Sequence, residues 1–190
     1  MLSGKNRIQT LILIFVFSVI ALTAGYVLFS INKQKTVETQ ELLLNWTDLQ
    51  ELRIAQEGEC QTDYSQTTIY GTPLPQYITC NYSVNSLNNT KIIVELKRFA
   101  NIEERDNTYG YDSSHLYGAR GIISENTYGD KSKLRINSED DFGYLPTNVT
   151  YYHLWICKGL YLIHITSSGD KEARGYVESI GQRILSKFEQ

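Results

Sequence analysis

The sequence contains few of the residues from which common catalytic and metal sites are built. Its 190 residues include three cysteines and three histidines, and the GxGxxG, P-loop, GxSxG and HExxH patterns do not occur. Nothing in it therefore indicates nucleotide or dinucleotide binding, serine hydrolysis or a zinc protease. Basic residues are also in the minority, with 18 Lys and Arg against 21 Asp and Glu. Because phosphate binding needs clustered Lys and Arg, we expect no nucleic-acid partner.

Charge is entirely missing from residues 11–31, whose sequence is LILIFVFSVIALTAGYVLFSI. A bilayer core requires about twenty apolar residues in a helix, because lipid offers no partner to an unpaired backbone group. The run predicts a transmembrane helix over 11–31, with the lipid bilayer as its partner, after a cytoplasmic segment 1–10. A cleaved signal peptide is the alternative, but its apolar region usually has roughly 7–15 residues. We interpret the run as an uncleaved anchor.

The remaining residues, 32–190, are enough for one compact domain. Lys5 and Arg7 before the apolar run nearly balance Lys33 and Lys35 after it, so flanking charge does not decide the orientation. A disulfide does bear on it, because Cys60 and Cys80 bracket a polar loop and such bonds form in oxidising compartments. Sequons also predict glycosylation, at Asn45, Asn81, Asn88 and Asn148. We therefore expect an extracytoplasmic domain on a single-pass anchor in the cell membrane.

Hydrophobic periodicity predicts an α+β fold, in which an antiparallel sheet is covered on one face by a C-terminal amphipathic helix. The final helix follows Asp170 as its N-cap, and its apolar residues recur at four-residue steps. Residues 101–118 fit either a helix capped by Asn101 or a loop. The other predicted elements are a helix over 36–52, a hairpin of strands 76–84 and 91–99, a strand over 120–127, a charged surface connection over 129–145, and a hairpin over 149–166 that turns at Lys158-Gly159.

That last hairpin brings together potential metal ligands. A turn at Lys158-Gly159 pairs His153 with His164 and puts Cys157 on the same face, and such nitrogen and sulfur ligands suit zinc or copper. Apolar side chains interrupt this face, however, and no fourth ligand is evident. We interpret both histidines as packed core and Cys157 as a buried thiol, and we predict no metal and no cofactor.

Two further clusters suggest chemistry only superficially. Residues 112–115, Asp-Ser-Ser-His, contain the residue types of a catalytic triad, but the members of a triad converge from separate segments. Residues 139–141, Glu-Asp-Asp, lack the spacing of a calcium loop and are interpreted as a solvated acidic turn. We therefore predict no catalytic residues and no enzymatic activity. Fourteen tyrosines leave recognition and ordinary packing both open, and those in apparent loops are Tyr64, Tyr70, Tyr109, Tyr111, Tyr117, Tyr128 and Tyr144.

The layout resembles a class of membrane-anchored or lipoprotein extracytoplasmic domains of bacteria and archaea, including extracellular sensor-type domains of some receptor kinases. The resemblance lies in Leu42-Leu43-Leu44 followed by Asp48-Leu49, the strand 94–99, Gly129-Asp130, the Lys158-Gly159 hairpin and the closing amphipathic helix. It implies an α+β fold of the PsbP-like class.

Two functions fit these observations. The first is a non-enzymatic binding or accessory module, with a possible protein partner in the membrane or at the cell surface. The alternative is a structural subunit of a membrane complex or of a pilin-like assembly. A pilin would carry a Glu just inside the apolar run and a processing site before it, and neither is found here.

Overall fold

The structure, a computed structural model, describes residues 37–87, 89–115, 121–138 and 149–189. The predictions for residues 1–10, the span 11–31, Asn88 and Asn148 fall outside these ranges. Within them, no helix is both long and apolar enough to cross a bilayer.

An antiparallel sheet of eight strands forms the centre of the described part of the chain. The strands are Ile54–Gln56 (β1), Gln61–Thr62 (β2), Gln76–Val84 (β3), Lys91–Arg98 (β4), Gly121–Glu125 (β5), Lys131–Ser138 (β6), Thr150–Lys158 (β7) and Tyr161–Gly169 (β8). Their order in the sheet is β1-β3-β4-β8-β7-β6-β5, and β2 pairs with the same edge of β3 as β1 does. Both predicted hairpins are therefore present, and the second supplies two central strands.

The helices flank this sheet. They are a 3₁₀ helix Thr39–Leu42 and the α-helices Trp46–Leu52 (α1), Ile102–Ser114 (α2) and Ala173–Ser186 (α3). Helix α3 covers one face and buries Ala173, Val177, Ile180 and Ile184. Gly181 permits close packing, because a Cβ there would lie 2.9 Å from Ile156 Cδ1. The predicted α+β fold, with a sheet under a C-terminal helix, is thus confirmed.

The predicted continuous helix over 36–52 is wrong, because a capping box interrupts it. The Asn45 side chain accepts a hydrogen bond from the Asp48 N–H at 3.0 Å, and the Asp48 carboxylate accepts one from the Asn45 N–H at 2.9 Å. Asn45 is extended at this point, so α1 starts afresh after it.

The predicted surface connection over 129–145 is also wrong for its described part, which contains strand β6. The strand alternates Lys131, Lys133 and Arg135 with residues that face α3, among them the fully buried Leu134. Charge on every second residue makes the segment polar on average, although its period of two is that of a strand.

Helix α2 covers part of the opposite sheet face. Asn101 caps it by accepting from the Glu104 N–H at 2.8 Å, which decides the alternatives for 101–118 in favour of a helix as far as Ser114. Buried Arg105 donates to Asp130 Oδ2 at 3.2 Å and to the Gly159 carbonyl oxygen. The helix is therefore fastened to the β7–β8 turn, and Cys157 and Leu162 beneath it are fully buried.

The β7–β8 turn contains Gly159 and Leu160, one residue later than predicted. Gly159 has φ 55° and its N–H donates to Asp130 Oδ2 at 2.9 Å. Such a left-handed residue is typical of two-residue hairpin turns. The predicted pairing of His153 with His164 is consequently wrong: His164 pairs with Trp155, and His153 pairs with Thr166.

Cys60 and Cys80 form the predicted disulfide, which ties the segment before β2 to the middle of β3. Cys80 is 1% exposed and belongs to the core beneath α3. A closed loop of this length stabilises a fold by about 3 kcal/mol through the entropy of the unfolded chain.

Buried Asp48 connects α1 to the end of α3. Its carboxylate lies 2.7 Å from Lys187 Nζ and 3.5 Å from an Arg183 nitrogen. Burial favours a higher pKa for Asp48, but the hydrogen bonds from Lys187 and Asn45 and the two positive charges lower the pKa. The carboxylate is therefore an ionised structural group.

We expect Asp48→Asn to lower the free energy of unfolding by about 2 kcal/mol at neutral pH, because it weakens a helix cap and leaves Lys187 without its charge partner. Urea unfolding measures the change. The control Glu51→Gln removes an exposed ion pair with Arg183 and should alter stability by less than about 0.5 kcal/mol. Equal effects of the two substitutions would contradict this role of Asp48.

Candidate functional site

The sheet face opposite α3 carries polar and aromatic side chains in register across five strands. Pairings of β3, β4, β8, β7 and β6 align them in rows, and β-strand alternation directs all of them to this face. One row is Thr79, Glu95, His164, Trp155 and Lys133, and the next is Asn81, Ile93, Thr166, His153 and Arg135. We call Tyr77, Glu95, His153, Trp155, His164 and Thr166 the sheet-face cluster.

Glu95 is held between two donors. Tyr77 Oη donates to Glu95 Oε1 at 2.5 Å, and His164 Nδ1 lies 2.6 Å from Glu95 Oε2. Burial alone would raise the pKa of Glu95, but the hydrogen bond and charge of His164, with Lys97 and Tyr77, lower the pKa to about 2. Burial and the bond to Glu95 raise the pKa of Tyr77 to about 12. Glu95 is therefore a carboxylate and Tyr77 a hydroxyl donor at physiological pH.

The Glu95 carboxylate determines that Nδ1 of the His164 ring carries a proton. An ionised carboxylate only accepts, so His164 carries a proton on Nδ1 and directs Nε2 to the other side of its ring. Thr166 Oγ1 lies 3.1 Å from this Nε2, and His153 Nδ1 lies 3.3 Å from it. The His164 ring thus connects the carboxylate to a second group of polar atoms.

His153 completes that group. Its Nδ1 lies 3.4 Å from Thr166 Oγ1. Burial lowers the pKa of His153 to about 3, and the neighbouring His164 and Arg135 contribute to the decrease. His153 is therefore a neutral imidazole with one ring nitrogen available as an acceptor.

Trp155 packs against the imidazole rings of both His153 and His164. Its ring stacks on His164 with centroids 4.7 Å apart and planes 4° from parallel, and on His153 at 5.4 Å. The indole is 1% exposed, and its N–H has no hydrogen-bond partner within the described residues. Stacking, together with packing beneath α2, therefore fixes its position.

The interpretation of the two histidines as packed core is wrong, whereas Cys157 is buried as predicted. Both histidines are half-buried and hydrogen-bonded, while Cys157 is 0% exposed and packs with Leu162. Burial raises the pKa of the Cys157 thiol to about 12. Sequence reasoning missed Tyr77, Glu95 and Thr166, for which the only signal is their outward position in alternating strands.

The Asp-Ser-Ser-His segment forms the end of α2, where its side chains make separate contacts. Asp112 pairs with Lys97 at 3.1 Å, Ser113 is buried, and the His115 ring stacks on Tyr111. Residues 139–141 fall outside the described ranges. Within those ranges, no three His, Cys, Asp or Glu side chains are grouped to hold a metal ion.

The loop tyrosines divide between exposure and packing. Tyr64 and Tyr70 are 79% and 69% exposed, whereas Tyr109 and Tyr128 pack against the cores. Tyr109 and Tyr111 belong to α2 rather than to a loop, and Tyr117 and Tyr144 fall outside the described residues. Among the sequons, Asn45 is exposed and Asn81 half-buried, and glycosylation stays a prediction.

Glu95→Gln should lower stability by about 2 kcal/mol near neutral pH, because it removes a charged acceptor of two hydrogen bonds. The pKa of Glu95 in the folded protein, about 2, lies below its ordinary value of 4.5, so its contribution is complete above the ordinary value and is lost as pH falls through about 2. Urea unfolding of both proteins over this range measures the difference. The exposed control Glu103→Gln should change stability by less than about 0.5 kcal/mol, and a wild-type advantage independent of pH would contradict the prediction.

The fold is similar to that of the extracellular domain of PknH from Mycobacterium tuberculosis, with a TM-score of 0.61 and 9% sequence identity. The match covers 82% of this chain and 98% of the PknH domain. No protein-family model matches the sequence, and no curated protein does. At this identity the likeness concerns the fold alone. The resemblance to extracytoplasmic domains is therefore confirmed at the level of the fold, and the PsbP-like assignment stays a prediction.

Proposed function

We propose that the chain is a membrane-anchored extracytoplasmic module with a non-enzymatic binding or sensing role. The observation that carries this proposal is the likeness in fold to an extracellular domain, of which 98% is matched. The Cys60–Cys80 disulfide supports it, because such bonds persist in oxidising compartments. The uncharged run 11–31 supplies the anchor, as its length fits a bilayer core.

The side chains of the described residues favour binding over catalysis. Cys157 is the cysteine left free by the disulfide, and its buried thiol with a pKa of about 12 is a poor nucleophile. Glu95 accepts from both Tyr77 and His164, so its oxygens are engaged within the protein. The half-buried face beside α2 nevertheless offers aromatic and polar groups on rigid strands, as recognition surfaces do.

Labelling with a membrane-impermeant maleimide tests the topology. Gly175→Cys places an exposed thiol on α3 at a position where an added Cβ meets nothing within 4 Å. We expect the maleimide to label this thiol in intact cells whose envelope has no outer layer that excludes the reagent. The matched variant Ser3→Cys should be labelled only after lysis, because it precedes the span, and the parent protein, whose free thiol is buried, is the background. The reverse pattern would refute the proposed orientation.

The state of assembly separates a binding module from the structural alternative. A binding module on one anchor should behave as a monomer when the full chain is purified in detergent. Light scattering coupled to size-exclusion chromatography measures the protein mass in the micelle. A ladder of regular oligomers would overturn the proposed role in favour of a pilin-like or complex-forming subunit.

A further inference from the structure

The loop 63–75, between β2 and β3, contains a short hairpin with a well-defined tip. The Gly71 N–H donates to the Thr68 carbonyl oxygen at 2.9 Å, so Ile69 and Tyr70 are the central residues of a β-turn. Gly71 has φ 80°, as expected of the left-handed residue that follows the turn in a three-residue hairpin loop. Hydrogen bonds within the hairpin therefore fix the conformation of its tip.

The side chains at this tip are apolar or aromatic, and they face solvent. Tyr70 is 69% exposed and Ile69 is 39% exposed, and Tyr64 near the start of the loop is 79% exposed. No charged residue occurs in the sequence from Tyr64 to Thr90. Exposed aromatic side chains on a neutral segment are typical of surfaces that meet a membrane or another protein.

The backbone N–H groups of the tip are hydrogen-bonded within the hairpin. Thr68 Oγ1 accepts from the N–H groups of Tyr70 and Thr72, in both cases at 3.2 Å. The N–H of Gly71, which lies between them, is bonded to the Thr68 carbonyl oxygen. An unpaired N–H group is costly wherever water is scarce. The tip can therefore leave bulk water without leaving these three donors unpaired.

Both ends of the loop lie at the end of the sheet where the described chain begins. The Thr39 hydroxyl donates to the side-chain oxygen of Gln76, the first residue of β3. At the start of the loop, the Asp63 N–H donates to the Tyr77 carbonyl oxygen at 3.1 Å. The loop is therefore held close to Thr39, two residues after Val37.

The number of residues before Val37 limits how far this end of the sheet can lie from an anchor. Six Cα-to-Cα steps separate Val37 from Ile31, the last residue of the predicted span. Fully extended, these steps cover about 22 Å. Strand β8 alone, with nine residues, is about 30 Å long. An anchor in the predicted span would therefore hold the loop end of the sheet, rather than the opposite end, nearest to the lipid.

We propose that the hairpin tip, Ile69 and Tyr70, together with Tyr64, contacts the lipid bilayer that carries the anchor. This inference rests on the proposed function, because it needs the span 11–31 in the membrane. Tyrosine is enriched at the membrane–water interface, where its ring meets apolar groups and its hydroxyl stays hydrated. Because the loop carries no charge, the contact does not require anionic headgroups.

Fluorescence quenching by lipid tests the contact in the full chain, reconstituted into phosphatidylcholine vesicles. Tyr70→Cys introduces a thiol for an environment-sensitive fluorophore, whereas the native free thiol of Cys157 is buried. The vesicles carry nitroxide-labelled lipid in both leaflets, so the result does not depend on orientation. We expect the label at residue 70 to lose most of its fluorescence. Molar salt should leave this loss unchanged, because no charge of the loop takes part.

The matched control is Ile122→Cys on β5, carrying the same fluorophore. Ile122 is 52% exposed, and its row of the sheet runs through Arg135 and His153 to Thr166. Thr166 lies five residues along β8 from Tyr161, or about 17 Å from the loop end of the sheet. We expect the label at residue 122 to keep most of its fluorescence. Equal quenching at the two positions overturns the proposal.

A second comparison excludes an effect of the fluorophore, which is itself apolar. The label is placed at Tyr64→Cys, and Ile69→Asp adds a charge at the unlabelled tip. We expect Ile69→Asp to lower the quenching of this label, whereas Ile122→Asp should not. Quenching that is insensitive to Ile69→Asp overturns the role of the tip.

Flotation of the vesicles separates this inference from the proposed function. A chain that does not float with the vesicles has no anchor, which overturns both. A chain that floats, but whose label at residue 70 is not quenched by lipid, keeps its anchor and refutes the contact. If that label is shielded from aqueous iodide instead, a protein partner or a second copy of the chain occupies the tip.

Discussion

The register of the β7–β8 hairpin is the constraint on which the rest of the structure depends. Gly159 and Leu160 form its turn, and Asp130 holds that turn by accepting the Gly159 N–H. A turn placed one residue earlier would pair every residue of β7 with a different partner on β8. The observed register aligns Trp155 with His164 and His153 with Thr166, so this turn determines which side chains of β7 contact His164 and Thr166.

Arg105 joins this turn to the second layer of the fold. Its guanidinium contacts the Gly159 carbonyl oxygen and Asp130, while its own helix covers Cys157 and Leu162. The α3 face carries most of the buried apolar core, whereas the opposite face has a smaller apolar cluster beneath α2 and a row of polar and aromatic side chains beside it. The two described helices therefore bury unequal apolar clusters, and the half-buried histidines lie beside the smaller one.

The sequence was sufficient to predict the elements whose pattern repeats. Strands 76–84 and 91–98, the final hairpin and the amphipathic helix α3 were all predictable, because each shows a period of two or of nearly four. Strand β6 was not predictable in this way. Lys131, Lys133 and Arg135 make the segment polar on average, so its alternation is hard to recognise. The break before α1 depends on reciprocal bonds between Asn45 and Asp48, which hydrophobic periodicity does not report.

The candidate site was less predictable than the fold, for a physical reason. Because side chains alternate along a strand, the sequence places His153 and His164 on one face of the hairpin. A shift of the turn by one residue does not change this. Glu95 and Tyr77 belong to strands more than fifty residues earlier in the chain, and only the pairing of β4 with β8 brings the carboxylate to the imidazole. Long-range pairing of this kind is a property of the tertiary structure rather than of local sequence.

The composition of the cluster also bears on why it exists. A half-buried carboxylate and two imidazoles must be desolvated, and their mutual bonds only partly offset that penalty. Apolar residues of similar size would pack under α2 at least as well, as Leu162 and Cys157 do one row away. Polar groups retained where the fold does not need them are typical of functional sites. The sheet-face cluster is therefore the part of the described structure that apolar packing explains least.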